Sequence, residues 1–278
     1  MLPDVAAARR NVPGDSRLFP GYLLRIMVLP NKARLRNTLK KFFRIPSDRS
    51  DPYDAQTSAQ EALDFLSMMA GRKPVMLLGR GYNDPAWTKG VLQIAADAKL
   101  HVVEGPYWDA TADAGPTVDL PDWYLDHTRK AFAEHRAWYV TRARAVADEV
   151  ADICQSGAIT IAQEARLLDY PECCVRGHYA RAADYQRVWL DLLRRKANGD
   201  EAIAAKLLAA NEPLEPETDA DRQRLTRAMK TVPVPFTSIN ACDACVHGGP
   251  AAPANLKSLE GRKFAGEIDG GLLRALSG

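Results

Sequence analysis

The sequence predicts a small α/β unit in the N-terminal half of the chain, followed by a mainly α-helical C-terminal half. Two short apolar runs, Pro74–Leu78 and Leu100–Glu104, flank Pro85–Ala98, which has helical spacing. This pattern is typical of a βαβ-like element of about 30 residues. From Pro121 onward the apolar residues recur mainly at helical spacing, and all five cysteines lie in this helical half.

The composition is that of a globular protein that folds without a covalent cross-link. Of the 278 residues, 46% are hydrophobic and 26% are charged, so neither a disordered nor a fibrous class is favoured. The longest apolar stretches, such as Tyr22–Leu29, are shorter than the about 20 residues that a membrane span needs. The first residues also lack the apolar region of a secretory signal. We therefore expect a cytoplasmic protein without a transmembrane helix, in which a disulfide framework is not favoured.

Positive charge is concentrated near the N-terminus. Residues 1–50 contain eleven Arg and Lys residues against three Asp, a net charge of +8, whereas the whole chain has a net charge of +2. Within them, residues 32–44 hold six basic residues and no acidic one. Four apolar residues recur there at helical spacing: Leu35, Leu39, Phe42 and Phe43. We interpret residues 32–44 as a basic amphipathic helix that either packs through its apolar stripe or docks on nucleic acid, lipid or an acidic partner.

Helix-breaking residues divide the C-terminal half into several helices. Asp122 to about Gln155 is predicted as one long helix, followed by a short helix over Ile161–Leu168 and a longer one over Pro171–Arg195. The chain is thereby divided into three parts. These are a basic N-terminal extension with an amphipathic helix (residues 1–50), a small α/β unit (51–120) and a helical, cysteine-rich domain (121–278).

The first cysteine box reads Asp169-Tyr-Pro-Glu-Cys-Cys-Val175. Pro171 fits the first turn of a helix, where its missing N–H costs nothing, and Asp169 is close enough to serve as the cap. Cys173 and Cys174 then lie in the first turn. There the free backbone N–H groups and the helix dipole favour the thiolate, which is the form that binds metals.

The second box, Cys242-Asp-Ala-Cys245, has a spacing that lets both sulfurs bind one metal centre. Together the two boxes supply four thiolates, so we predict a shared metal site rather than a dithiol redox pair or unrelated buried cysteines. Neighbouring helical residues point about 100° apart. Cys173 and Cys174 therefore suit a [4Fe–4S] cluster, whose ligands bind separate irons, better than zinc, which stays the alternative. The fifth cysteine, Cys154, is interpreted as a small buried hydrophobe rather than a ligand.

The two boxes resemble those of a family of uncharacterised microbial proteins, in which a Gly-Tyr-Pro-x-Cys-Cys box precedes a Cys-x-x-Cys box. The resemblance covers the C-terminal half and departs where Asp169 replaces the glycine. It implies paired cysteine boxes and names no reaction. The chain is also similar to the Cys-Cys-Gly iron–sulfur domains of heterodisulfide-reductase type, since Cys154 completes the same order of five cysteines, although Val175 replaces the glycine.

Two histidines follow the boxes. His178 lies one turn after Cys174, and His247 lies two residues after Cys245. Either imidazole is a candidate acid–base group, ligand or hydrogen-bond donor to sulfur, and the alternative is a surface or capping histidine.

Two function hypotheses follow from these patterns. The first is an iron–sulfur enzyme in which the cluster, with His178 and His247, acts on a small molecule. The second is a zinc-stapled module that docks nucleic acid or an acidic partner through residues 32–44. The sequence has no H-E-x-x-H motif and no Walker loop, so metalloproteases of that type and P-loop hydrolases have no support.

Overall fold

The structure, a computed structural model, describes residues 32–46, 52–79, 84–106, 120–133, 136–157, 159–210, 216 and 218–277. The predicted N-terminal extension therefore falls outside the described residues, except for residues 32–46. The three strands are β1 (Val75–Leu78), β2 (His101–Pro106) and β3 (Arg136–Thr141). The helices before β3 are α1 (Lys32–Phe42), α2 (Pro52–Met69), α3 (Pro85–Asp97) and α4 (Asp122–Ala133). The helices after it are α5 (Arg144–Ser156), α6 (Ile161–Leu168), α7 (Glu172–Lys196), α8 (Glu201–Ala209), α9 (Asp219–Met229), α10 (Asp243–His247), α11 (Pro253–Ile268) and α12 (Gly270–Ser277).

The predicted fold class is confirmed, because a small α/β element is combined with a mainly helical chain. The strand order is β1-β3-β2, and β3 is antiparallel to both of its neighbours. The predicted segments β1, α3 and β2 are all present, with both strands running in the same direction. They do not pair with each other, because β3 lies between them.

The central strand β3 is the main correction to the sequence analysis, which predicts one helix from Asp122 to about Gln155. The structure instead has α4, β3 and α5 over this stretch. Residues 138–141 read Trp-Tyr-Val-Thr, and all four belong to the aromatic and β-branched types that favour strands. Tyr139 and Val140 are fully buried. The pairing of β3 on both edges and its burial outweigh the helical spacing around it.

Both faces of the sheet are covered by helices. Met76, Leu78 and Val140 face the largest cluster of buried side chains, which also includes residues of α1, α2, α3, α11 and α12. Val75 and Tyr139 face a second cluster with α5 and α6. The alternation of side chains along the strands accounts for this division, since successive residues point to opposite faces.

Helix α1 belongs to the largest buried cluster. Leu35, Leu39 and Phe42 are almost fully buried in it, as the packing interpretation of residues 32–44 requires, whereas Phe43 is exposed. Its basic face also contacts the rest of the chain. Three side chains bond to neighbouring elements: Arg34 to Ala98 O (3.3 Å), Arg36 to Ile268 O (2.7 Å) and Lys41 to Asp97 (2.6 Å). Among the helices that the structure describes, none is long and apolar enough to cross a membrane.

Candidate metal centre

The first cysteine box begins helix α7. Pro171 is the N-cap residue, with an extended backbone (φ −63°, ψ 130°), and Cys173 and Cys174 occupy the first turn as predicted. The prediction that Asp169 caps α7 is wrong. Asp169 instead ends α6 in the left-handed conformation (φ 56°), and Lys257 of α11 donates to both carboxylate oxygens at 2.8 and 2.9 Å. The tight turn over Asp169 and Tyr170 directs the chain from α6 into α7.

The second cysteine box begins the short helix α10. The chain reaches it through a narrow hairpin in which Val234 N donates to Ile239 O (2.9 Å) and Ala241 N donates to Val232 O (2.8 Å). Cys242 is the N-cap residue of α10, and Cys245 N donates to Cys242 O at 2.9 Å. One helical turn thus brings the two sulfurs of this box to the same side.

The structure brings the four predicted ligands together. The Sγ of Cys174 lies 4.0 Å from that of Cys173, 3.9 Å from that of Cys242 and 3.6 Å from that of Cys245. The sulfurs of Cys173 and Cys245 are 3.7 Å apart, and all four lie within 4.8 Å of one another. This group of four could hold a metal ion.

The surroundings of the four thiols are unequal. Cys173 is exposed, whereas Cys174, Cys242 and Cys245 are buried. Although Cys173 is exposed as a residue, partial burial of its sulfur and hydrogen bonds with the Cys245 and Cys242 thiols raise its pKa to about 11. Burial also raises the pKa of Cys174. Burial acts to raise the pKa of Cys242 as well, but the Cys245 N–H and the three other thiols donate to its sulfur, so its pKa is lowered. In the metal-free chain, the Cys242 thiol is therefore more disposed to ionise than the thiols of Cys173 and Cys174.

The two cysteine pairs occupy the N-terminal turns of two helices, α7 and α10. The positive ends of both helix dipoles therefore lie beside the sulfurs and stabilise negative charge on them. This effect favours the thiolate, the form that coordinates metal ions, but burial outweighs it at Cys173 and Cys174, whose pKa values are raised in the metal-free chain.

The two histidines lie outside the group of four sulfurs. The His178 imidazole packs edge-on against the Tyr179 ring, with ring centroids 5.3 Å apart. The residue as a whole is exposed, but partial burial of the imidazole and the nearby Arg181 guanidinium lower its pKa. His247 is the exposed last residue of α10. The catalytic roles of both histidines stay predictions.

Cys154 also lies outside the group of four. Its half-buried side chain packs against the second buried cluster, and its sulfur occupies the space where a side chain on Gly105 of β2 would project. This placement agrees with the interpretation of Cys154 as a packing residue.

A partly buried polar network, which sequence reasoning missed, anchors both cysteine segments. Lys73 forms an ion pair with Asp64 of α2 (2.8 Å) and lies over the Tyr170 ring at 5.0 Å. Ser238 donates to Asp64 (2.5 Å), and the hydroxyl groups of Ser238 and Tyr170 are 2.6 Å apart. Tyr170 is three residues before Cys173, and Ser238 is four residues before Cys242. The network thus holds the approaches to both boxes against α2.

Gly177 of α7 is required for the close approach of the two boxes. A Cβ at this position would lie 2.7 Å from the Cβ of Cys242, closer than real contacts allow. We expect Gly177→Ala to destabilise the protein by about 1–3 kcal/mol, as other overpacking substitutions do, and to weaken metal binding. Thermal unfolding and metal titration measure both effects.

A matched control is Gly266→Ala in α11, where an added Cβ makes only an ordinary contact at 3.7 Å with Leu273. This substitution is expected to stabilise the helix by up to about 1 kcal/mol. Equal thermal stability and equal metal affinity of the two variants would contradict the steric role of Gly177.

Comparison with protein-family models, with curated proteins and with solved structures finds no match for this chain.

Proposed function

We propose that Cys173, Cys174, Cys242 and Cys245 bind one zinc ion in a closed, tetrahedral site that holds the C-terminal segment against α7. The sulfur separations carry this proposal. A zinc ion with Zn–S bonds of about 2.3 Å separates its four sulfurs by about 3.8 Å when the geometry is tetrahedral. Four of the six separations, 3.6, 3.7, 3.9 and 4.0 Å, lie around this value, and the other two do not exceed 4.8 Å.

The [4Fe–4S] cluster predicted from the sequence is less compatible with these separations. Each cysteine of such a cluster binds a different iron, so its sulfurs stand roughly 6 Å apart. All four sulfurs here lie within 4.8 Å of one another. The prediction was based on the divergence of neighbouring residues in an ideal helix, yet the sulfurs of Cys173 and Cys174 are only 4.0 Å apart.

The chemistry of the ligands also supports a structural role. Four cysteine thiolates fill the coordination shell of zinc, which leaves no open position for a substrate. Four thiolates and one Zn²⁺ carry a net charge of −2, and the N-termini of α7 and α10 offset part of it. The bound ion would cross-link α7 to the segment that follows the Val232–Ala241 hairpin.

This proposal favours the zinc-stapled module over the iron–sulfur enzyme. Docking of nucleic acid or an acidic partner through residues 32–44 stays a prediction. Residues 32–44 still present the exposed basic side chains of Lys32, Lys40 and Arg44, although the apolar face of α1 is occupied by the core.

The metal content of anaerobically purified protein tests the proposal. We expect about one zinc ion per chain and no visible absorption. Four irons with acid-labile sulfide would overturn both the zinc assignment and the closed site. One iron per chain with visible absorption would support the four-cysteine site but identify iron, not zinc, as the bound ion.

A further inference from the structure

A cleft of about 530 Å³ opens beside α7, between α4, α8 and the end of α9. Its volume is in the range that small-molecule sites have, roughly 300–1,000 Å³. Thirteen described residues line it, and none of these is Asp or Glu. They include one arginine, Arg181, and two histidines, His127 and His178. Arg181 is the lining residue that is always charged, so the described wall favours an anion.

Arg181 has an unsatisfied hydrogen-bonding capacity at this cleft. Its Nη1 donates to the backbone oxygen of Ala241 at 3.5 Å, which fixes the guanidinium beside the second cysteine segment. Its Nη2 is screened from solvent and has no hydrogen-bond partner among the residues that the structure describes. A buried guanidinium N–H without an acceptor is unfavourable. Arg181 lines the cleft, so a turn of its guanidinium toward the cleft would let a carboxylate or phosphate oxygen accept this N–H.

Tyr124 of α4 also lines the cleft. Burial raises the pKa of Tyr124 to about 12, so its hydroxyl stays protonated at neutral pH and can donate a hydrogen bond.

Aromatic rings form a wall of the cleft further along α7. The rings of Tyr185 and Trp189 are stacked, with centroids 5.9 Å apart and planes inclined by 12°. Both residues line the cleft. Flat, partly exposed ring faces of this kind bind planar rings through offset stacking.

We propose that this cleft binds a small molecule in which a planar aromatic ring is joined to a carboxylate or phosphate group. Arg181 receives the anionic group, and the Tyr185–Trp189 pair receives the ring. The inference goes beyond the zinc site and does not require it, because the cleft and the group of four cysteines share no residue.

Calorimetric titration of the full chain at low ionic strength tests the proposal with two pairs of probes. Adenosine monophosphate is compared with adenosine, and indole-3-acetate with indole-3-acetamide. We expect at least one anion to bind at least tenfold more tightly than its neutral counterpart. Arg181→Met should lower the affinity for that anion by roughly tenfold to a hundredfold, as expected for loss of a hydrogen bond to a charged group.

The matched control is Arg187→Met. Arg187 is also on α7 but pairs with Asp184 at 2.7 Å and does not line the cleft, so its loss should leave the affinity within about twofold. If Arg181→Met fails to fold, Tyr185→Ala tests the proposal instead. This variant keeps the arginine and should weaken the binding of both the anion and its neutral counterpart. The proposal is overturned if neither anion outcompetes its neutral counterpart. It is also overturned if a folded Arg181→Met or Tyr185→Ala variant binds as the wild type does.

Metal content measured on the same samples separates this inference from the zinc proposal. A chain that contains no zinc but binds the anion more tightly than its neutral counterpart supports the cleft proposal and refutes the zinc proposal. A chain that contains zinc but binds the anion no more tightly than its neutral counterpart supports the zinc proposal and refutes the cleft proposal.

Discussion

The Cys242→Ala variant is expected to lose most of its bound metal and to melt at a markedly lower temperature. Cys242 contributes one of the four sulfurs, and its thiol is the one whose pKa is lowered in the metal-free chain. Metal binding at structural sites contributes directly to folding, so removal of a ligand should lower the affinity by more than about a hundredfold. Elemental analysis and thermal unfolding with and without a chelator measure the two effects.

The control for this variant is Cys154→Ala. Cys154 lies outside the group of four sulfurs and packs against the second buried cluster. This variant should keep its full metal content, with only the stability change of a small core truncation. A Cys242→Ala protein with unchanged metal content would refute the shared site.

The second large effect is expected from Lys73→Met. The side chain of Lys73 is only 6% exposed and that of its partner Asp64 only 13%. Removal of the ammonium group leaves the Asp64 carboxylate without its buried counter-ion, which typically costs about 3–5 kcal/mol. The same change removes the contacts that Lys73 makes with the Ser238 hydroxyl and the Tyr170 ring, so metal affinity should fall together with stability. Chemical denaturation measures the free energy of unfolding, and metal titration measures the metal affinity.

An exposed ion pair serves as the matched control. Lys41 and Asp97 are 2.6 Å apart, with side chains 49% and 43% exposed. Lys41→Met should therefore change the free energy of unfolding by at most about 1 kcal/mol. A Lys73→Met variant as stable as Lys41→Met would show that the buried network does not hold the cysteine segments.

The contribution of Lys73 should also depend on pH. Burial acts to lower the pKa of Lys73, but attraction to the Asp64 carboxylate, together with smaller effects of Tyr170 and Asp169, raises it above the ordinary value of 10.5. A raised pKa in the folded state means that the stabilisation is complete below the unfolded value and is lost as pH rises through the folded one. The difference in unfolding free energy between wild type and Lys73→Met should therefore be constant near neutral pH and shrink above about pH 10.5. A difference that grew with pH would contradict the ion pair.

The cysteine boxes could be predicted because their information is local. The first box has two consecutive cysteines just after a helix-starting proline, and the second has two cysteines one helical turn apart. Both patterns are visible in short stretches of sequence. The geometry between the boxes was not accessible in this way. The 4.0 Å separation of the Cys173 and Cys174 sulfurs depends on their side-chain rotamers, which are determined by packing against the other two cysteines.

Other parts of the fold could not be read from local patterns. Trp138 and Tyr139 lie between two helical stretches, and only pairing with β1 and β2 makes their segment a strand. Residues 138–141 carried a usable signal, since all four are strand formers. The Lys73 network carried none, because Lys73 and Ser238 are 165 residues apart and neither belongs to a motif.

The central position of β3 has a consequence for the growing polypeptide. Strands β1 and β2 both use β3 as their pairing partner in the described sheet, yet β3 is synthesised last. About 60 residues separate the end of β1 from β3, which at a typical 5–20 residues per second amounts to roughly 3–12 seconds of translation. During that interval the apolar Val-Met-Leu-Leu segment of β1 has left the synthesis site before its partner exists. Unpaired strand edges of this kind are sites of intermolecular pairing, so nascent chains that stop before residue 136 should depend on chaperones to stay soluble.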